Sequence, residues 1–430
     1  METLLEIARR RADRVEVFSQ ATSSDRVRFE NGRLKDIESS MLSGVGLLLI
    51  KDGRLGMAYT RNLRDREELV ENALAALAGG VEADYQLAPA ASLPELDSWN
   101  PDIEKLDSSA MVEESARIVE ALRPRTEGQI NVSSRRSART VRVLNSTGFD
   151  RTIRSSSYHC HIAICYPGSY ASIDRRVTGK GFQPAADEDL EFVAATFNAS
   201  AKEARARSGP TKVLFLPGSV YALVWRLAAA TSGRTVYERV SPLREQAGRQ
   251  VLSPLLTLAD APLDDSQPGA RAFDDEGTPC RDRSLFDQGV LRGFYTDRFY
   301  AQKLEAEPTG NGWRGDVTNR PSPGLEHLRI EPGRHTLAAL LTEMGEGVVV
   351  GGVLGAHSGN ILNGEYSIGL SPGLWVEGGE IVGHIKDAMV AGNVYEDLQR
   401  VVALGARLEP APMGRFPALL LEGVSFAVRS

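Results

Sequence analysis

The chain has 430 residues, of which 42% are hydrophobic and 25% charged, and a formal net charge of −7. That length is too great for one small core and predicts two domains, while the acidic balance excludes a global basic field for direct nucleic-acid binding. Cys160, Cys165 and Cys280 are too few, and odd in number, for a disulfide framework, which fits a reducing, cytoplasmic setting.

The first residues, METLLEIARRRADRVEV, lack the uninterrupted apolar core of a signal peptide. No segment approaches the ~20 apolar residues of a membrane span. The spacing predicts a helix over 3–13, with Arg9 and Arg11 on its solvated face. Strands are predicted at 15–20, 26–30, 45–50 and 55–59, with Asp52-Gly53 as a hairpin tip between the last two. An amphipathic helix follows over 65–78, with Leu69, Ala73 and Leu77 on one stripe.

Residues 86–101, rich in Pro, Ala and Ser, read as a surface loop. Ser109 is placed as the cap of a helix over 110–122, with Glu113 and Glu114 in its first turn. Strands over 140–146 and 157–166 and a polar helix over 186–206 complete the first half. The Pro/Gly break at 207–210 marks the boundary between domains 1–207 and 208–430.

The second half opens with an apolar strand at 213–216 and a helix at about 219–231. From 272 onward it is mostly short strands and glycine turns, with tips at Gln288-Gly289 and Gly378-Gly379. Helices are predicted near 297–304, 336–344 and 393–403. Strands grouped apart from helices argue for an α+β fold with a mixed sheet/helix N-terminal domain and a strand-rich C-terminal domain.

Between Asn363 and Asn393 the chain reads NGEYSIGLSPGLWVEGGEIVGHIKDAMVAGN, with glycines at 364, 369, 373, 378, 379, 383 and 392. Glycine is needed where φ is positive or where another backbone passes close by. So many within strand-like segments suggest a sheet against which another backbone lies, and hence peptide handling.

This stretch resembles the C-terminal signature of the TldD/PmbA family, once called modulators of DNA gyrase. Residues 273–277 (FDDEG), 288–294 (QGVLRGF), 330–333 (IEPG) and 391–393 (AGN) agree with it. The likeness runs over nearly the whole chain and is dense after residue 210. It implies a metallopeptidase-type fold and a role in degrading or maturing unfolded peptides.

Catalytic members of that family carry His-Glu-x-x-x-His on the helix that follows the strand placed here at 213–216. Histidines one helical turn apart can share one zinc, and the glutamate can act as a general base on zinc-bound water. Here residues 219–233 read SVYALVWRLAAATSG, and the motif positions fall at about Trp225, Arg226 and Ala230. The segment has no His, Glu, Asp or Cys, and arginine cannot ligate zinc. The family's C-terminal cysteine ligand also has no counterpart after Cys280.

The resemblance therefore points to the PmbA (TldE) side of the family. It implies a non-catalytic subunit that pairs with a TldD-type zinc subunit, the zinc residing in that partner and none in this chain. A chain without its partner can pair with itself as a homodimer. Gly351, Gly352, Gly355, Asn363, Gly364, Tyr366, Ser367, Gly369 and Gly373 are the candidate surface for an extended peptide, held backbone to backbone.

Two other readings stay open. One is a stand-alone metallopeptidase with a relocated metal. His159 and His161 would lie ~7 Å apart on one strand face, whereas Cys165 would lie ~13 Å beyond His161, so one ion cannot bind all three without a sharp bend and a half-buried polar strand is the simpler reading. The other is a regulatory binding protein acting on gyrase or a toxin–antitoxin pair. Asp274, Asp275 and Glu276 diverge on an extended chain and read as a fold-defining turn. His357-Ser358 lacks a nucleophile elbow, Gly351–Gly355 lacks the Lys-Ser/Thr of a phosphate loop, and His384 reads as a solvent-facing strand residue.

Overall fold

A computed structural model describes residues 1–429. The first half is built on a six-stranded antiparallel sheet. Its strands are β1 (Arg14–Glu30), β2 (Arg33–Lys51), β3 (Arg54–Thr60), β4 (Gln129–Asn145), β5 (Asp150–Cys165) and β6 (Ser172–Gly179), ordered β3-β2-β1-β4-β5-β6. Asn31-Gly32 and Asp52-Gly53 turn the first two hairpins with positive φ at both residues, the twist that two-residue hairpins favour.

Helices α1 (Glu2–Arg9), α2 (Arg66–Ala75), α3 (Ser108–Leu122) and α4 (Asp187–Ala199) all pack on one face. Val15 and Val17 meet α1 and α2, and Val27 and Phe29 on the same side of β1 meet α3. These four residues lie at even spacing, as the two-residue repeat of a strand requires.

In the second half, β7 (Gly209–Phe215) lies at the centre of a nine-stranded sheet. Strand Leu419–Val428 pairs antiparallel on one side of it and Gly347–Val350 parallel on the other. Here the sequence has unbroken apolar runs instead of alternation, because the sheet is buried on both faces. Val213, Phe215, Val348 and Val350 pack with helix α5 (Tyr221–Thr231). Leu214, Val349 and Leu420 point the other way, into the cluster that holds Val119 of α3 and Phe197 of α4. One core thus joins the two halves.

Several expectations change. The strands placed at 15–20 and 26–30 are one strand, and β2, β4 and β5 begin or end far beyond their apolar portions. β6 was missed. Their polar stretches are strands because hydrogen bonds to neighbours extend the ladder where the outer face carries no apolar pattern. Asp107, not Ser109, caps α3 by accepting from the Ala110 N–H, and Glu114 lies on the buried side, bound to Arg117. α1 and α4 end at Arg9 and Ala199. The helix placed at 393–403 is a single turn, Val394–Asp397, followed by strand Val401–Leu404.

Candidate peptide-binding region and the replaced metal position

Helix α5 carries Trp225, Arg226 and Ala230, where the family resemblance places the motif positions. Arg226 is fully buried, with 0% of its surface exposed. Its Nε donates to the Glu365 carbonyl at 2.8 Å and its Nη2 to the Ser358 carbonyl at 2.6 Å. Nη1 donates to the carbonyls of Ala222 at 2.5 Å and Ala356 at 3.0 Å. Its guanidinium also stands 5.8 Å from the centre of the Tyr366 ring.

A planar group with five donors suits this task, since it can satisfy several carbonyls at fixed angles. Burial lowers the Arg226 pKa, but a guanidinium stays charged in proteins. No ion pair within 4 Å compensates it among the described residues; the carbonyl dipoles do so instead. The neighbouring motif positions are a half-buried Trp225 and a buried Ala230. This donor set does not fit zinc. Among the described residues no group of three or more His, Cys, Asp and Glu is placed to hold a metal.

Arg226 fixes the loop from Ala356 to Glu365, within the glycine-rich region. Gly351 and Gly352 both donate to the Pro372 carbonyl, at 3.0 and 3.3 Å. An added Cβ at Gly352 would collide with the Ser371 carbonyl, and one at Gly359 with that of Glu365. The close backbone at these two glycines is therefore the chain's own. Gly364, at φ +84°, lies against the Tyr395 ring.

Asn363 is exposed, and its carbonyl accepts from Asn393 at 2.8 Å. Tyr366 is buried and donates to Asp397 at 2.6 Å. Ser367 pairs with Ala391 and Gly369 with Leu354, within the sheet. Gly355 and Ser358 close a tight turn, and Gly373 begins the strand that pairs with Val350. One edge of the sheet is Glu380–Ile385, and the other is the two-residue strand Val353–Leu354, where Leu354 is 60% exposed. Its outer side has no strand partner among the described residues. Near Gly351, a cavity of about 510 Å³ lies between the halves, with Phe192, Leu216 and Leu340 in its wall.

The other candidates are dispersed. His159 is exposed on β5, opposite Arg135 of β4. His161 is bound through Nε2 to Asp174 at 2.9 Å. Cys165 is buried and accepts from Asn131 at 3.2 Å. Asp274 makes residues 273–277 a turn by accepting from the N–H groups of Glu276, Thr278 and Gly312. His384 is half-buried rather than solvent-facing, because its Nδ1 bonds the Ser200 carbonyl at 2.8 Å and its ring packs on Tyr166.

Comparison with known sequences sharpens this arrangement. A family profile described as PmbA/TldA metallopeptidase C-terminal domain matches residues 208–428, and its domain 1 matches residues 15–77. The chain belongs to the TldD/PmbA family. The metalloprotease PmbA of Escherichia coli O157:H7 is 26% identical over 99% of this chain and 95% of that protein. The PmbA homologue of Haemophilus influenzae is 29% identical over 52% of this chain and 48% of its own length.

Among solved structures, a Thermotoga maritima protein described as a modulator of a DNA gyrase superposes with a TM-score of 0.87. It is 25% identical and covers 99% of each chain. TldE from Thermococcus kodakarensis superposes with a TM-score of 0.91 at 23% identity, over 99% of each chain; that likeness concerns the fold. The TldD/PmbA fold thus extends over the whole chain. No helix among the described residues is long and apolar enough to cross a membrane.

The sequence marked Arg226 only as a residue type that cannot ligate zinc. Its role as an anchor for residues 356–365 was hidden because its partners are backbone carbonyls more than 100 positions away.

Proposed function

We propose that this chain is a PmbA/TldE-like, non-catalytic subunit of a TldD/PmbA metallopeptidase complex that degrades or matures unfolded peptides. Arg226 carries the reading. On the helix where catalytic relatives are expected to hold zinc, a buried guanidinium takes up the space and uses its donors on the chain's own carbonyls. A metal there would meet a fixed positive charge and no ligand.

The peptide is held by backbone pairing along the free side of Val353–Leu354, next to the segment that Arg226 anchors. Backbone pairing is nearly blind to side-chain identity, as a subunit handling varied unfolded peptides requires. The zinc and the hydrolytic step belong to a TldD-type partner. A relocated metal at His159 and His161 has less support, since Asp174 already holds His161.

The test uses the purified chain alone and mixed with a TldD-type subunit from the same genome. The expected result is no stoichiometric zinc and no cleavage of a casein substrate by the chain alone, with cleavage in the mixture lost when either subunit is omitted. Cleavage by the chain alone, with bound zinc, would overturn the proposal. Hydrogen exchange with an unfolded peptide present should protect amides within 351–373; protection only elsewhere would remove that surface from the reading.

A further inference from the structure

The cavity of about 510 Å³ between the halves is walled by β6 and α4 of the first half. In the second half its wall is the turn after β7, the start of helix Leu337–Met344 and residues 405–410. That volume falls within the ~300–1,000 Å³ of ligand pockets. Ile173, Leu340 and Ala418 in the wall belong to the core that joins the halves. Phe192, Leu216 and Leu337 pack against that core but stay half-buried. Apolar surface is thus left uncovered on a floor that the core holds in place.

The Asp, Glu and Arg side chains in the wall are all paired. Arg175 bonds Glu409 and lies 3.7 Å from Asp189. Arg407 bonds Glu188 at 2.6 Å and Asp189 at 3.0 Å. Arg176 stands 3.8 Å from Asp174, and Glu191 3.5 Å from Arg125. A charge carried in by a ligand would find no free counter-ion, and its desolvation would go uncompensated. An uncharged group meets no such cost.

Arg175 is 9% exposed, and its guanidinium lies over the Phe192 ring, 3.6 Å from the centre. The two planar groups give part of the wall a flat shape, which an aromatic or branched side chain can cover. The rim is open to solvent, since Glu188, His335 and Ala406 are exposed. Gly351 belongs to the wall, and Val353 and Leu354 of the free edge follow it by two and three positions. The edge therefore lies within about 10 Å of the cavity along the chain.

We propose that this cavity receives an uncharged, bulky apolar side chain from a peptide bound along Val353–Leu354. The inference rests on the peptide-handling reading above and adds a preference to it. Backbone pairing along the edge accepts any sequence, whereas the cavity favours segments that carry such a side chain. Folded proteins bury most of their large apolar side chains, and unfolded segments expose them. The preference therefore separates unfolded peptide from folded surface.

The test is fluorescence anisotropy of rhodamine-labelled, unstructured peptides binding to the full chain. Three probes differ only at one central residue, which is phenylalanine, serine or glutamate. The phenylalanine probe is expected to bind about tenfold more tightly than the serine probe, through burial of its ring. The glutamate probe should bind no more tightly than the serine probe. Ala406→Trp puts a ring into the exposed rim. It should bring the phenylalanine probe down to the serine probe's affinity while keeping that affinity and the native melting temperature. Leu337→Gln, which makes a half-buried part of the wall polar, should reduce the preference by a second route.

Equal affinity for the three probes would overturn the cavity's role while leaving peptide handling intact. So would a phenylalanine preference that survives in full in both variants. A glutamate probe that matched the phenylalanine probe would overturn it too, because the cavity would then accept a charge. Failure of every probe to bind would overturn both.

Discussion

The two large sheets of this protein solve opposite problems. The central strands of the nine-stranded sheet in the second half are apolar on both faces, with Val213 and Phe215 turned toward α5 and Leu214 toward α3 and α4. The six-stranded sheet of the first half is apolar on one face and, along half its length, polar on the other. A sheet buried on both sides has no freedom to present side chains; it offers its rim and the ends of its strands. A sheet covered on one side can offer a whole face. The anchored segment around Arg226 lies at the rim of the first kind, and Arg135, Ser137 and Arg139 stand on the open face of the second.

The comparison predicts a gradient of sensitivity. Leu214→Ala removes a side chain from the core that joins the halves, and should destabilise the protein by about 3 kcal/mol in urea unfolding. It should do so in one transition; separate transitions for the two halves would break the picture of a shared core.

Arg226→Met should cost about 2 kcal/mol, because the carbonyls of Ala356, Ser358 and Glu365 lose their donor. Limited proteolysis should then cut within 355–364. A variant that keeps wild-type protease resistance there would mean that the segment holds itself in place.

The buried carboxylates at the junction between halves give a pH-dependent test. Burial pushes Asp274 up to about 6 and Asp297 to about 7, against about 3.9 in an unfolded chain. A raised pKa means that the folded state holds the extra proton. The contribution is fully present below pH ~4 and is lost as pH rises through about 6 to 7. Asp297 caps helix Arg298–Lys303 by accepting from Tyr300, and asparagine can keep that bond. Asp297→Asn should therefore gain about 1 kcal/mol over the wild type at pH 8 and much less at pH 5. An equal gain at both values would exclude titration of this group as the cause.

The smallest effect belongs to the open face. Ser137→Ala should change stability by less than about 0.5 kcal/mol. A loss comparable to that of Leu214→Ala would show that the polar face is packed against something in solution.

Legibility in the sequence followed the same division. The apolar run 213–216 read correctly as a strand, since burial on both faces leaves a continuous signal. The polar halves of β4 and β5 did not, because Ser-Ser-Arg-Arg-Ser-Ala-Arg-Thr shows no alternation of apolar residues to reveal it. The glycines pointed to a second backbone lying close by; at Gly352 and Gly359 the close backbone is the chain's own. The family likeness marked residues 225, 226 and 230 as altered without revealing what Arg226 binds.

The sequence by itself determined the α+β class, the hairpin tips at Asp52-Gly53, Gln288-Gly289 and Gly378-Gly379, the family, and the lack of zinc-ligand residue types on α5. These depend on local periodicity, on φ preferences and on residue chemistry, all written in neighbouring positions. Only the tertiary structure decided which carbonyls Arg226 satisfies and which glycines face the chain's own backbone. Those depend on contacts between segments tens to hundreds of residues apart, and a charge is free or paired only once the fold has chosen its neighbours.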